Sequence, residues 1–403
     1  MPAYDGCSLA NIPVTILSLF GAEVAGRSAL PHELIENHAD GVNKVVLLVA
    51  DAMGYGQLLS VMRAERDLPL NKLAERGSFV PLTSTFPSTT TVALTSLHTG
   101  VTPQEHGMMG YRMYLSELGV LADMITLSPA WEKQPERLLE MGLKPKRFLG
   151  VKTVYQRLTE VGVNSYIFIK NTYKGSGLSK LYHIGAENVV PFFTSSDMFV
   201  QLRRLLESNA GERMYICVYW DAIDAIAHRY GPETDEVVAE VRSMSYTLET
   251  ELLRRLKPDI ARETMLMVTS DHGQIHVQER DAIRVTKYPT LTQNLLMPPS
   301  GDYRAAYLYV KQGHSTLLKT YLSSKFREQF VVLDSARAFS SGLFGNGIPK
   351  PEAQSRIGDL IVIARKHCAL YYPHAKQYTP GGRHGGMSPD EMLIPFFCAK
   401  CRG

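Results

Sequence analysis

Three short apolar runs, each ending in a carboxylate, constrain this chain more than any other feature. Asn43 to Ala50 (NKVVLLVA) leads into Asp51, Met214 to Trp220 (MYICVYW) into Asp221 and Asp224, and Met265 to Ser270 (MLMVTS) into Asp271 and His272. A short, nearly continuous apolar run is the pattern of a parallel strand covered on both faces. In open α/β sheets, ligands bind outside the carboxyl ends of the strands, so three polar clusters far apart in sequence can converge on one crevice.

Helical patterns separate the runs. Asp235 to Lys257 carries Val238, Val241, Leu248 and Leu252 at helical spacing, acidic residues early, Arg254, Arg255 and Lys257 late, and Pro258 just beyond; this predicts one amphipathic helix. A second helix is expected over Asp197 to Glu207, capped by Ser195 or Ser196. Strand and helix in alternation predict an α/β fold. The stretch from 275 to 380 differs. It offers strand candidates at Arg304 to Val310 and Leu360 to Ala364, Pro and Gly interruptions and many tyrosines. It is expected to be an inserted cap that sets specificity, with residues 1–274 and 381–403 forming the core. Tyr303, Tyr307 and Tyr309 are candidates to stack on a base, against the commoner outcome of packing within a strand.

Composition narrows the partners. With 43 basic against 40 acidic residues and a formal net charge of +3 over 403 residues, the chain lacks the field that attracts nucleic acid or an anionic membrane. No stable nucleic-acid or membrane partner is expected, and a phosphate-bearing ligand must be held locally. Five scattered cysteines give no disulfide framework, and Cys398 and Cys401 lack the second pair that a zinc ribbon needs. The beginning of the chain carries no basic leader, and no run approaches the roughly 20 apolar residues that cross a bilayer. These features lead us to expect a cytoplasmic protein.

Six potential metal ligands stand at strand ends or in a Gly-rich loop: Asp51, Asp224, His228, Asp271, His272 and His384. Singly, each has an ordinary explanation, since an Asp after a strand is commonly a helix N-cap or a turn residue. Asp224 and His228 lie four apart and would share a helix face. Asp271-His272-Gly273 is sharper, because carboxylate and imidazole can serve one ion while the glycine lets the backbone turn. His384 lies between Gly381-Gly382-Arg383 and Gly385-Gly386. Phe86 to Gly100 (FPSTTTVALTSLHTG) adds a hydroxyl cluster, placing Thr89 to Thr91 at the start of a helix, where free N–H groups favour an anion. A simple cap is the alternative. The DAMGYG stretch from Asp51 lacks the third glycine of a dinucleotide fingerprint, and no Walker-type loop is present.

As an ordered set, Asp after the first strand, a Thr cluster before T-G and H-G, D-x-x-x-H before G-P, D-H-G and a late Gly-flanked His resemble the alkaline phosphatase superfamily, nearest its nucleotide pyrophosphatase/phosphodiesterase branch. The resemblance runs from about Val45 to Phe397. It implies a three-layer sandwich with a mostly parallel sheet, helices on both faces and an inserted cap. The family's nucleophile stands nine residues before the Thr of the T-G pair, here Thr99-Gly100, which falls on Thr90, or on Thr89 if the register slips by one. The family's two-metal arrangement then maps Asp224, His228 and His384 to one ion, and Asp51, Asp271, His272 and Thr90 to the other. The nitrogen and carboxylate donors suit zinc, with manganese the main competitor.

The resemblance implies a hydrolase of phosphodiester or nucleotide pyrophosphate bonds acting on a small phosphoester or nucleotide through a covalent threonine intermediate. One family feature is missing. The Asn that holds a phosphoryl oxygen, about 21 residues after the nucleophile, is replaced by Tyr111, whose phenol can donate one hydrogen bond. The adjacent Arg112 could serve a second phosphoryl oxygen, which would favour monoesters. A phosphomonoesterase, phosphonate hydrolase or phosphomutase is therefore the alternative on the same scaffold.

Overall fold

The computed structural model describes residues 1–401 except Glu23, Ala25, Lys133, Ser176 and the segment 373–379; that segment of the expected cap lies outside the described residues. The three apolar runs are neighbours. Among the described residues, a seven-stranded sheet runs in the order Ser78–Thr83, Leu393–Lys400, Thr264–Thr269, Lys44–Ala50, Met214–Trp220, Asn164–Lys170, Asn188–Phe192. From Thr264–Thr269 to Asn188–Phe192 all pairings are parallel, and Leu393–Lys400 is antiparallel to both of its neighbours.

Alternation along these strands builds two cores. Val45, Leu47 and Val49 join Tyr215, Cys217, Met265 and Met267 on one face, with Val92, Leu94 and Leu97 of the helix Thr90–Thr99 packed over them. Val46, Leu48 and Ala50 join Ile216, Val218 and Val268 on the other, under Met198 and Leu202 of Ser195–Ser208 and Val241 and Met244 of Asp235–Thr247. Helices thus cover both faces, as a doubly buried parallel sheet requires.

Two helical expectations are adjusted. The cap of the helix at 195 is Thr194, whose hydroxyl accepts from Asp197 N while Asp197 accepts from the Thr194 amide at 2.6 Å; Asp197 at the third helical position completes a capping box with the residue three before it. The helix over 235–257 is α-helical only to Thr247, widens into a π-helical turn at Leu248–Leu253, and gives way to Pro258–Arg262, which Pro258 starts at its first position.

Strands of the region 275–380 share a sheet with strands that precede it. Its strands Ser300–Gly301, Ala305–Leu308, Phe330–Asp334 and Leu360–Ala364 form an antiparallel sheet together with Arg112–Leu115, Val120–Asp123 and Ser128–Pro129, all from the part expected to be core. One face of this second sheet, through Met113, Leu115, Ala305, Tyr307 and Ile361, belongs to the same apolar cluster as the main sheet. Burial also decides the tyrosines. Tyr307 is fully buried with its hydroxyl donating to Met109 O at 2.5 Å, and Tyr309 is buried with its hydroxyl on Ser355 O at 3.2 Å, so neither offers a face to a base.

Candidate active site

In register, Ala50 lies opposite Trp220, and the Asp51 amide donates to Trp220 O at 2.8 Å. The parallel strands therefore end together, and Asp51, Asp271 and His272 emerge at one edge. All three are buried and their ligand-type atoms lie within 4.8 Å of one another. His272 Nε2 stands 3.5 Å from Asp51 Oδ1 and 3.4 Å from Asp271 Oδ2. A Cβ on Gly273 would collide with the carbonyl of Asp390 and with Gly54 Cα, which is why a glycine follows this Asp-His pair.

A second set forms beside the first. The helix Ala222–Tyr230 presents Asp224 and His228 on one face, His228 Nε2 3.3 Å from Asp224 Oδ1, and the Gly-rich loop brings His384 to them, again with ligand-type atoms within 4.8 Å. These three are only half-buried. The sets touch through His384, whose ring stacks on His272 at 3.9 Å between centroids and lies 5.1 Å from His228. Asp221, one helical turn before Asp224, is not part of the cluster: Tyr173 donates to it at 2.6 Å and Lys170 pairs with it at 3.3 Å.

The second contacts orient each ligand. His228 Nδ1 faces Gly382 O at 2.8 Å, His384 Nδ1 faces Ser88 O at 3.2 Å, and His272 Nδ1 faces Gly273 O at 3.1 Å. A carbonyl accepts only from N–H, so in each ring Nδ1 is the donor and Nε2 is turned inward. Tyr219 donates to Asp51 Oδ2 and Gln274 donates to Asp224 Oδ1. Asp271 Oδ1 accepts from the amides of Ala52 and His272 at 3.1 and 2.9 Å.

What remains unpaired tests whether cations fit. Asp51 Oδ1 and Asp271 Oδ2 are buried without a hydrogen-bond partner. Orphaned carboxylate oxygens are costly in a protein interior. Burial first, then the neighbouring charges of Asp271 and Asp224, push the Asp51 carboxyl well above its usual range, and burial with His272 and His228 pulls His384 well below its own. Carboxylates that repel and an imidazole that resists protonation belong to the donor set a divalent cation satisfies.

Thr90 opens the helix Thr90–Thr99 after the N-cap Thr89, and its hydroxyl lies 3.0 Å from His272 Nε2. All seven residues expected to form the nucleophile and ligand set are thus brought together. Tyr111 and Arg112 lie nearby. Burial first, then the charge of Asp123, raises the pKa of the Tyr111 phenol, and the Tyr111 amide donates to Asp302 Oδ2 at 3.3 Å. Arg112 stacks its guanidinium 5.6 Å from the Tyr111 ring and leaves its buried Nε without a partner.

Several residues escaped the sequence reading. Asp302 accepts the Thr89 hydroxyl at 3.1 Å. Glu391 accepts from the Gly386 amide at 2.8 Å and from Ser388 Oγ at 2.7 Å, and pairs through both oxygens with Arg304 at 2.7 and 2.8 Å, fully buried, so it anchors the His384 loop. Only Gln274, next to Asp271-His272-Gly273, carried a positional hint.

The sequence from residue 45 to 387 matches the model of a family described as type I phosphodiesterase / nucleotide pyrophosphatase. A stretch is 28% identical over 142 residues to human ectonucleotide pyrophosphatase/phosphodiesterase family member 7, spanning 30% of this chain and 30% of that protein. Among solved structures, an inactive variant of murine ectonucleotide pyrophosphatase/phosphodiesterase 5 in complex with AMP superposes with a TM-score of 0.66 at 14% identity, over 89% of this chain and 88% of that one. Phosphonoacetate hydrolase from Sinorhizobium meliloti in complex with phosphonoformate superposes with a TM-score of 0.62 at 18% identity, over 89% of this chain and 90% of that one. At these identities the structural likeness establishes the fold.

Proposed function

Since the chain belongs to the type I phosphodiesterase / nucleotide pyrophosphatase family, we propose that it hydrolyses phosphodiester or nucleotide pyrophosphate bonds through a transient ester on Thr90. The observation that carries this reading is the Thr90 hydroxyl itself, 3.0 Å from His272 Nε2, at a helix start and beside two three-residue ligand sets. Asp51, Asp271, His272 and Thr90 would hold one divalent cation, and Asp224, His228 and His384 the other; zinc suits these donors, with manganese as the competitor. Such ions, when bound, lower the pKa of a coordinated hydroxyl and offset the charge on attacking and leaving oxygens.

The chain's own groups supply the rest. The first-turn amides and positive end of the helix Thr90–Thr99 receive non-bridging phosphoryl oxygens. Thr90 Oγ forms a bond to phosphorus as the bond to the leaving oxygen breaks. Water then attacks the same phosphorus, and Thr90 Oγ departs and regains a proton. The three Nδ1–H groups keep the imidazoles from turning throughout.

The AMP held by the murine relative supports a nucleotide-derived substrate. A monoesterase, phosphonate hydrolase or mutase reading rests on Arg112, whose unpaired Nε could meet a second phosphoryl charge. The purified protein is expected to prefer bis-p-nitrophenyl phosphate to p-nitrophenyl phosphate. Thr90→Ala is expected to lose turnover by at least about a thousandfold while keeping its metal. A large monoester preference would overturn the diesterase reading, and turnover surviving in Thr90→Ala would overturn the nucleophile.

A further inference from the structure

We propose that Asp302 sets the charge preference of the phosphoryl site, admitting singly charged phosphodiesters and disfavouring doubly charged monoesters. The inference rests on the assignment of Thr90 as the nucleophile and deepens it by naming the substrate charge class.

The carboxylate arrives from the second sheet. Between Ser300–Gly301 and Ala305–Leu308 the chain makes a tight turn closed by Asp302 N on Ala305 O at 2.9 Å, and Gly301 pairs with Arg112 on the neighbouring strand. The turn delivers Asp302 to the start of the nucleophile helix. There Oδ1 accepts the Thr89 hydroxyl at 3.1 Å and Oδ2 accepts the Tyr111 amide at 3.3 Å. The His384 loop closes over it so tightly that a Cβ on Gly385 would sit 2.7 Å from the Asp302 Cβ.

Two consequences follow from that placement. First, the carboxylate occupies the Thr89 hydroxyl and the Tyr111 amide, two donors beside Thr90 that phosphoryl oxygens would otherwise take. Second, it adds a negative charge where the helix N-terminus and Arg112 supply positive potential. Desolvation raises its pKa to about 6, with the hydrogen bonds from the Tyr111 amide and the Thr89 hydroxyl opposing the rise, so at pH 8 the group is an anion. A diester brings one negative charge to this site, whereas a monoester above pH 7 brings nearly two. The second charge meets the carboxylate, and the substrate carrying it is penalised.

The test compares kcat/KM for bis-p-nitrophenyl phosphate and p-nitrophenyl phosphate at pH 8 in metal-loaded wild type, Asp302→Asn, Asp302→Ser and Asp302→Glu. Both neutral variants are expected to shift the ratio toward the monoester by roughly ten- to a hundredfold, the effect of one unit charge at about 6 to 12 Å with an effective dielectric constant of about 20. Asp302→Glu keeps the wild-type ratio. Asp302→Ser is smaller and retains an acceptor for Thr89, so it serves if Asp302→Asn does not fold. Calorimetric titration with inorganic phosphate reads the same charge effect without turnover: affinity should tighten by a similar factor in the neutral variants. An unchanged ratio with unchanged or weaker phosphate binding in a folded neutral variant overturns the proposal. Failure of the nucleophile assignment looks different, since it appears as turnover in Thr90→Ala whatever the Asp302 ratio.

Discussion

The two ligand sets reach the same crevice by opposite routes. Asp51, Asp271 and His272 come from the ends of central strands and are buried; Asp224, His228 and His384 come from a helix and a loop and are half-buried. In the first set two buried carboxylate oxygens have no partner. In the second, Asp224 Oδ1 is hydrogen-bonded by Gln274 and the imidazoles rest on Gly382 and Ser88 carbonyls. The sheet thus builds a buried set whose unpartnered carboxylate oxygens fit a cation, next to a more open set.

The largest effects should come from breaking each set in turn. Asp271→Asn is expected to abolish retention of the buried ion and lower turnover at least about a thousandfold, whereas Asp224→Asn should lose the open ion and keep the buried one. Metal content after gel filtration distinguishes them. Loss of both ions in Asp224→Asn would break the contrast.

Smaller effects sharpen it. Tyr219 donates only to the buried set and Gln274 only to the open one. Tyr219→Phe should weaken the buried ion, and Gln274→Ala the open ion, each by about 10- to 100-fold, the usual cost of removing a group that orients a ligand. Competition with a metal indicator reads both constants. Weakening of the other ion in either variant would show that the two sets act as one unit.

A further contrast concerns Asp302, which lies between the second sheet and the nucleophile. Its carboxyl pKa is raised from 3.8 to about 6, so the folded chain holds that proton more tightly than the unfolded one. Its contribution to stability is complete below pH 4 and is lost as pH rises through about 6. Above that, the charged carboxylate costs up to about 3 kcal/mol, less what its remaining solvent exposure screens. In chelator, Asp302→Asn should be more stable than wild type at pH 8 and equal at pH 4 in urea unfolding. A gap of the same size at both pH values would contradict the assignment.

Sequence spacing revealed one kind of information and not another. Asp51, Asp271 and His272 were legible because parallel strands buried on both faces leave a recognisable apolar run, and its end is where the ligand must stand. Asp224, His228, His384 and Thr90 were legible because the order of short motifs survives long intervals. Asp302, Tyr219 and Glu391 act through contacts across 213, 168 and 87 residues, to Thr89, Asp51 and Arg304; no local pattern marks such partners. The strands over 112–129 likewise carry no local sign that they share a sheet with strands near 300.

The two-cation centre is tested most directly by crystals of the active protein recorded at the absorption edge of its bound metal. Two anomalous peaks per chain are expected, one among Asp51, Asp271, His272 and Thr90, the other among Asp224, His228 and His384. Undiminished hydrolysis from chelated protein with neither peak present would contradict it.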